Sequence, residues 1–295
     1  MNSYLIFGAT GHTGGPLAQK LAEAGHSVKG ITRREGLTPP HNNIQYVVRD
    51  QQNKHFLAEQ LAGVDAAYVL LPPRMDALDF VAWQQQNIDA FVAAAKTSGL
   101  KRAVFLSSQG ADLGPEDHIG PVVVVGNLER AVRQQLPNLS AVFLRPTYFM
   151  ENFLANLPLI KHQGINGSPI RPDVAFPMIA TRDIADAAAH WLLDLSFEGQ
   201  QVVNLLGAES LSMQEVTARM GRAIGKPELP YIQFPADQAK QGMMQAGISE
   251  SLAGLYADMD PTQFSRTERT PANTTPTSVD SFIREVFVPA YQHMA

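Results

Sequence analysis

The sequence predicts an α/β fold: a Rossmann-like parallel sheet with helices on both faces, followed by a smaller C-terminal α/β lobe. Three observations lead there. Short apolar runs alternate with helical patterns through the first half of the chain, as successive βαβ units require. The glycine-rich turn Gly8-Ala9-Thr10-Gly11-His12-Thr13-Gly14 follows the first run directly and opens onto a helix. After Pro146 the composition shifts, with glycine, proline and asparagine frequent between about Tyr148 and Pro177. Residues 1–150 are accordingly assigned to an NAD(P)-binding Rossmann-like domain. Residues 151–295 are assigned mainly to a substrate or partner lobe, with 180–207 returning to the first domain.

In chain order, Tyr4 to Phe7 reads as the first strand. Pro16 then stands where a first helical turn accepts proline, and Leu17 and Leu21 share a face that ends near Gly25. Further strands are expected at Val28–Thr32, Ile44–Val48, Ala66–Leu71, Arg102–Leu106 and Ala141–Leu144. Asn87 to Ala95 and the spacing of Leu128, Ala131, Val132 and Leu136 are helical. Val122 to Val125 reads either way: four valines suit a strand, while the charge pattern after them is helical.

The segment from Tyr148 to Pro177 is expected to form loops crossing a cleft. Arg182 to Leu195 is a helix by its period, and Gln201 to Leu205 a strand that can rejoin the sheet. Ser212, three residues before Glu215, makes a capping box for a helix running to Ile224. A C-terminal part follows, with a strand at Tyr231–Phe234 and helix from Gln238 to Met259. The Thr/Pro stretch from Thr270 to Pro276 reads as a surface connection to a last helix over Val279–Phe287.

Composition narrows the function classes. Of 295 residues 45% are hydrophobic, enough for a sizeable core. There is no cysteine, which excludes disulfides, a thiolate nucleophile and thiolate-held metal clusters. The formal charge of −5 gives no sign of a nucleic-acid footprint. The N-terminal apolar run is too short and lacks the basic flank of a secretion signal, and no stretch approaches a membrane span. A cytoplasmic protein without nucleic-acid partners is expected.

The glycine turn is the main chemical signal. Gly8 allows the tight bend, Gly11 lets backbone approach a pyrophosphate, and Gly14 permits close packing of helix on sheet. Thr10, His12 and Thr13 complete the turn as candidate contacts. The second strand sets the preference among dinucleotides. An NAD site commonly places Asp or Glu at its end for the ribose hydroxyls, but Thr32-Arg33-Arg34 stands there and Glu35 comes late. Guanidinium groups suit a 2′-phosphate, so NADP(H) is preferred, with NAD(H) still possible.

Several longer motifs carry a family likeness. GATGHTGG at 8–15, Thr32-Arg33, GVDAAYVLLPP at 63–73, RAVFLSS at 102–108, LRPTYFMENF at 144–153 and TRDIADAAA at 181–189 together cover most of residues 4–190. The sequence resembles the NmrA-like branch of the atypical short-chain dehydrogenase/reductase family. That resemblance implies a dinucleotide gripped at its adenosine phosphate by Arg33 and flanked by Leu71 and Pro72. It implies Ser107 and Ser108 at the mouth of the fifth strand, and Tyr148 and Asn152 near the nicotinamide. The family includes NADPH-dependent quinone reductases and proteins that bind the dinucleotide mainly to report redox state.

The catalytic signal is thinner. None of the seven tyrosines has a lysine four residues later, so the YxxxK pair of ordinary short-chain dehydrogenases is missing. In many NmrA-like sequences a lysine stands four positions before the glutamate matching Glu129; here Val125 stands there. Quinone reduction does not need that pair, because a flat electron-poor acceptor can be held against the hydride donor. Tyr148, Phe149 and Phe153 are candidates for an aromatic wall, and Tyr148 for proton donation. No HExxH or G-x-S-x-G occurs and the eight histidines show no zinc spacing. Asp183 and Asp186 make a poor catalytic pair, Asp183 being better placed to order the segment entering the cleft. Two functions follow as expectations: an NADPH-dependent oxidoreductase acting on quinone-like or other small conjugated acceptors, or a non-catalytic NADP(H) sensor that regulates a protein partner.

Overall fold

The computed structural model describes residues 1–48, 52–260 and 265–294. β1 (Ser3–Phe7) leads through the glycine turn into α1 (Gly14–Glu23), followed by β2 (Ser27–Thr32), β3 (Ile44–Val48) and α2 (Lys54–Leu61). Next come β4 (Ala66–Val69), α3 (Phe80–Ser98), β5 (Arg102–Leu106), α4 (Val123–Gln135) and β6 (Ser140–Pro146). The chain then leaves the sheet through β7 (Tyr148–Phe149), a 3-10 segment at Met150–Asn156, α5 (Leu157–Gln163), β8 (Asn166–Ser168) and β9 (Phe176–Ile179). It returns by α6 (Thr181–Asp194) and β10 (Gln200–Leu205).

β10 lies parallel to β6 and completes a seven-stranded parallel sheet of order β3-β2-β1-β4-β5-β6-β10. The order reverses between β1 and β4, which is where open α/β sheets leave a crevice at their carboxyl ends. Alternation along the strands feeds two cores, one on each face. Leu5, Phe7, Phe105 and Phe143 point to the side covered by α2, α3 and α4. Tyr4, Ile6, Tyr68 and Val104 point to the side covered by α1 and α6. These strands are buried on both faces and therefore read as near-continuous apolar runs.

The remaining chain forms β11 (Ser210–Leu211), α7 (Met213–Ala223), β12 (Tyr231–Gln233), α8 (Ala236–Gln245) and α9 (Glu250–Ala257). It ends in α10 (Val279–Phe282), a π-helical turn at Ile283–Phe287 and α11 (Val288–His293). β7 and β11 flank β9, and β12 pairs with β8. A third core of Met150, Phe153, Phe176, Met213, Met220, Phe282 and Phe287 holds this lobe together. The α7 capping box forms as expected, with Ser212 Oγ accepting from the Glu215 amide and the Glu215 carboxylate accepting from the Ser212 amide.

Two expectations are corrected, at the end of β4 and over 148–177, and one open boundary is decided. β4 stops at Val69 instead of Leu71. Pro72 and Pro73 cannot donate to a ladder, and Leu70 turns aside to pack over Gly8. Val122 to Val125 is helical: Gly120–Val122 form a 3-10 turn and α4 begins at Val123. Val123 and Val124 are buried with Phe80, Ile119 and Leu252, so packing outweighs their strand preference. The 148–177 segment is mostly ordered elements, with Pro158 in the first turn of α5 and Gly164 in the left-handed conformation at its end. Its glycine and proline punctuate short elements, where a loop was expected. The Thr270–Pro276 stretch lies largely at the surface, as expected, and is tied down there: the Leu206 amide donates to Asn273 O, the Thr275 amide donates to Leu206 O, and Thr275 is buried.

Candidate functional site

The glycine turn has little freedom to be anything else. Gly8 has φ +64°, and a Cβ there would meet Leu70 Cδ2 at 2.9 Å. The Gly11 amide closes the bend on the Gly8 carbonyl at 2.8 Å. A Cβ on Gly14 would stand 2.5 Å from Gly8 O and 2.9 Å from Phe7 O, so only glycine lets α1 start this close to β1. Ala9 fits against Gly30 of β2 for the same reason, a Cβ on Gly30 falling 2.5 Å from that of Ala9.

The start of α1 is left with free donors. Thr13, buried at the N-cap, makes no side-chain cap bond, and the first turn holds no acid. Among the described residues no acceptor takes the amides of His12, Thr13 or Gly14. Three unspent N–H groups at a helix start suit an anion such as a pyrophosphate. His12 is exposed on this turn.

Beside the turn lies the end of β2. Arg33 is exposed. Arg34 is held: its Nη2 donates to Thr10 O at 3.0 Å, and its amide donates to Thr32 Oγ1 at 3.1 Å. Thr10 Oγ1 and Thr32 Oγ1 lie 3.4 Å apart. A cavity of about 420 Å³ opens here, lined by Thr10, Gln19, Arg34, Thr38 and Tyr46. The lining fits a phosphorylated adenosine, with one cation, Arg34, the hydroxyls of Thr10 and Thr38, and no carboxylate; Arg33 is outside the lining, next to Arg34 in the chain.

The carboxyl ends of β4, β5 and β6 bring the other candidates together. Leu71 is half-buried and Pro72 buried, and the Pro72 carbonyl accepts from Gln84 Nε2 of α3 at 3.0 Å. Ser107 is 3% exposed and its hydroxyl donates to Glu129 of α4. Ser108 is half-buried. Tyr148 is half-buried against Phe153 and Phe176, at ring separations of 5.8 and 5.5 Å. That burial, and then the neighbouring Tyr231, pushes its phenol well above the usual range. Asn152 is exposed one turn further on.

Some expected groupings separate. Phe153 is buried in the lobe core and backs Tyr148, so it cannot itself face an acceptor. Phe149 packs on the α1/α6 side of the sheet. Asp183 accepts from the Thr277 amide at 3.0 Å and its hydroxyl at 2.6 Å, anchoring the C-terminal segment, whereas Asp186 pairs with Lys20. They are not a catalytic pair.

Other residues join the site without any local sequence signal. Glu129 and Arg145 form a buried pair behind Ser107. Gln109, just past Ser108, donates to Asn204 at 2.8 Å and accepts from Thr267. Val125 packs with Leu71, Val122 and Tyr256 around a fourth apolar cluster, under α9. The wall offered by α4 at this point is thus apolar.

A family model described as the NmrA-like family matches residues 2–283. The chain belongs to the NmrA-like family. It is 30% identical over 263 residues to an NAD(P)H azoreductase of Xenophilus azovorans, covering 87% of each chain. Its fold is that of a quinone oxidoreductase, QOR2, of Escherichia coli, solved with NADPH, at TM-score 0.78 and 19% identity over 96% of this chain and 99% of that one. It is likewise that of NmrA, a negative transcriptional regulator solved with NADP, at TM-score 0.66 and 18% identity over 99% and 97%. No helix among the described residues is long and apolar enough to cross a membrane.

Proposed function

We propose that this protein is an NADPH-dependent reductase that delivers hydride to small, flat, conjugated acceptors of the quinone type. The observation that carries the reading is the glycine turn. Free amides at the start of α1 stand beside Arg33, Arg34, Thr10 and Thr32, with no carboxylate lining the cavity at the end of β2. The azoreductase relative supports reductase chemistry on a conjugated acceptor.

Bound there, the dinucleotide supplies a hydride from its nicotinamide ring. The chain does the rest. The α1 amides hold the pyrophosphate and Arg33 with Arg34 the 2′-phosphate. Gly8, Gly11 and Gly14 allow the approach. Leu71 and Pro72 would border the nicotinamide half, with Ser107, Ser108 and Asn152 available for polar contacts. Tyr148 stays protonated at ordinary pH and cannot act as a base there; its hydroxyl is the candidate donor to a reduced oxygen or nitrogen, and the burial that raises its phenol also penalises the phenolate that donation leaves. The apolar wall of Leu71, Val125 and Tyr256 keeps water from the acceptor and favours an uncharged planar one.

Anaerobic mixing with NADPH and a panel of quinones and azo compounds tests this, read at the nicotinamide absorbance. Enzyme-dependent oxidation with at least one class is expected, and none across the panel would refute it. A second reading is a sensor whose occupancy alters a protein contact. Val125 favours it, because a wall without a lysine provides less chemistry than a reductase commonly carries. Tight NADPH binding that changes the association state without turnover would select that reading.

A further inference from the structure

Glu129 is a carboxylate withdrawn from water. It lies on α4, 3% exposed, and three hydrogen bonds converge on it. Ser107 Oγ donates to Oε1 at 2.5 Å, Arg145 Nε to Oε1 at 2.9 Å, and Arg145 Nη2 to Oε2 at 2.7 Å. Arg145 in turn reaches Asp112 at 2.8 Å, and Arg133 stands 3.7 Å from Oε2. The Ser107 backbone is also fixed, its amide donating to Leu144 O of β6 at 2.8 Å.

A serine hydroxyl has one hydrogen and two lone pairs, and a carboxylate paired with a guanidinium only accepts. The direction of the Ser107–Glu129 bond is therefore set, and an O–H···O⁻ bond of this length is of the strong, charge-assisted kind. With its hydrogen committed to α4, Ser107 keeps only lone pairs for a ligand at the mouth of β5.

Resting on the cofactor reading above, we infer that Ser107 meets the dinucleotide as a hydrogen-bond acceptor, taking a donor of the nicotinamide riboside, and that Glu129 is the positioning residue that sets this polarity. Two groups on that half of the cofactor have the required chemistry, the carboxamide N–H and a ribose hydroxyl. The same polarity means that Ser107 cannot polarise or protonate an acceptor oxygen. Any proton for the product comes from Tyr148 or water. Arg145 contributes by holding the carboxylate with two bonds while the third is left to the serine.

The test is a set of binding cycles read by calorimetry, without turnover. The probes are NADPH, its reduced 3-acetylpyridine analogue, which lacks the carboxamide N–H, an analogue lacking both the 2′- and 3′-hydroxyls of the nicotinamide ribose, and 2′,5′-ADP. Ser107→Ala should weaken NADPH about tenfold, the scale of one hydrogen bond to a well-placed acceptor. The analogue missing the true partner donor should bind wild type and Ser107→Ala alike, and which analogue does so names the donor. Glu129→Gln, whose amide can donate to the serine, should erase the same difference. The affinity for 2′,5′-ADP should stay the same throughout, since that probe reports only the adenosine end and the folded state. Ser107→Ala is decisive even if Glu129→Gln fails to fold, because it leaves the Glu129–Arg145 pair in place. Losses that simply add with both analogues overturn the inference. A wild type that binds 2′,5′-ADP and NADPH while the losses add leaves the cofactor reading standing; a wild type that binds neither takes both down.

Discussion

Replacing Gly14 by alanine should damage the protein, while the same change one residue later should not. In the structure a Cβ on Gly14 would lie 2.5 Å from Gly8 O, 2.8 Å from Gly8 C and 2.9 Å from Phe7 O. All three are backbone atoms of β1 and the turn, so no side chain can rotate away. Overpacking of this kind costs about 1–3 kcal/mol, at the upper end where backbone must move. Alanine returns roughly 1 kcal/mol in helix propensity, leaving Gly14→Ala destabilised by about 2 kcal/mol. On Gly15 the nearest atom to a Cβ is Ala9 O at 3.5 Å, an ordinary contact. Gly15→Ala should thus gain up to ~1 kcal/mol from the helix alone. Urea unfolding of the ligand-free protein measures both through the midpoint at constant slope. NADPH titration supplies the second readout, because moving α1 away from β1 also moves its free amides. Gly14→Ala should lose most of its affinity; Gly15 lines the cavity at the end of β2, so a methyl there should cost some affinity but less, because α1 and its free amides stay in place. Equal stability and equal NADPH affinity for the two variants would refute the reading of this turn.

Four further outcomes follow from the geometry. Tyr148→Phe should lower turnover up to ~100-fold with acceptors whose product needs a proton, leaving NADPH affinity unchanged; because burial raises the Tyr148 phenol above its ordinary value of 10.0, the wild-type rate should show no loss from this group between pH 6 and about 10, and a full rate in Tyr148→Phe removes it as donor. Glu129→Ala should cost about 3 kcal/mol in urea unfolding, since Arg145, only 14% exposed, loses its principal partner and keeps Asp112. Asp183→Ala should release the segment at Thr277, costing about 1–3 kcal/mol, with faster amide exchange at Thr277 as the local signature. His118 is held above its ordinary value of 6.5 chiefly by its hydrogen bond to Asp258. A raised value stabilises the protonated folded form, so that contact is complete below about pH 6.5 and fades as pH rises through the folded value. Amide protection in α9 should follow that course in wild type and lose it in Asp258→Asn.

The parts of the site legible in the sequence are those where backbone geometry dictates residue type. Gly8 and Gly14 announce themselves because a positive φ at the one and close approaches to carbonyl oxygens at the other admit nothing else, while Gly11 sits tight against Gly8 O, 3.2 Å from where a Cβ would stand. The missing acid after β2 is equally local. By contrast, Ser107, Glu129 and Arg145 are separated by 22 and 16 positions and meet only because β5, α4 and β6 are consecutive elements of one βαβ unit. No periodicity marks such a pair. The same holds for Gln109 and Thr267, brought together from 158 positions apart. α2 escapes a reading by period because its buried face is only Leu57 and Leu61, two residues over eight. The valines at 122–125 leave the reading open for the opposite reason: their intrinsic strand preference is strong, whereas the crossover between two parallel strands calls for a helix there, and Ile119, Phe80 and Leu252 supply its packing.

If the glycine turn and the two arginines after β2 hold a phosphorylated dinucleotide, the extra phosphate of NADPH must be felt in binding. Parallel titration of NADPH and NADH into wild type and Arg33→Ala, at low and high salt, measures that directly. Wild type should prefer NADPH by at least about tenfold, added salt should narrow the gap, and Arg33→Ala should narrow it further without weakening NADH. Equal affinity for the two nucleotides in wild type, or a preference untouched by Arg33→Ala and by salt, would contradict the assignment.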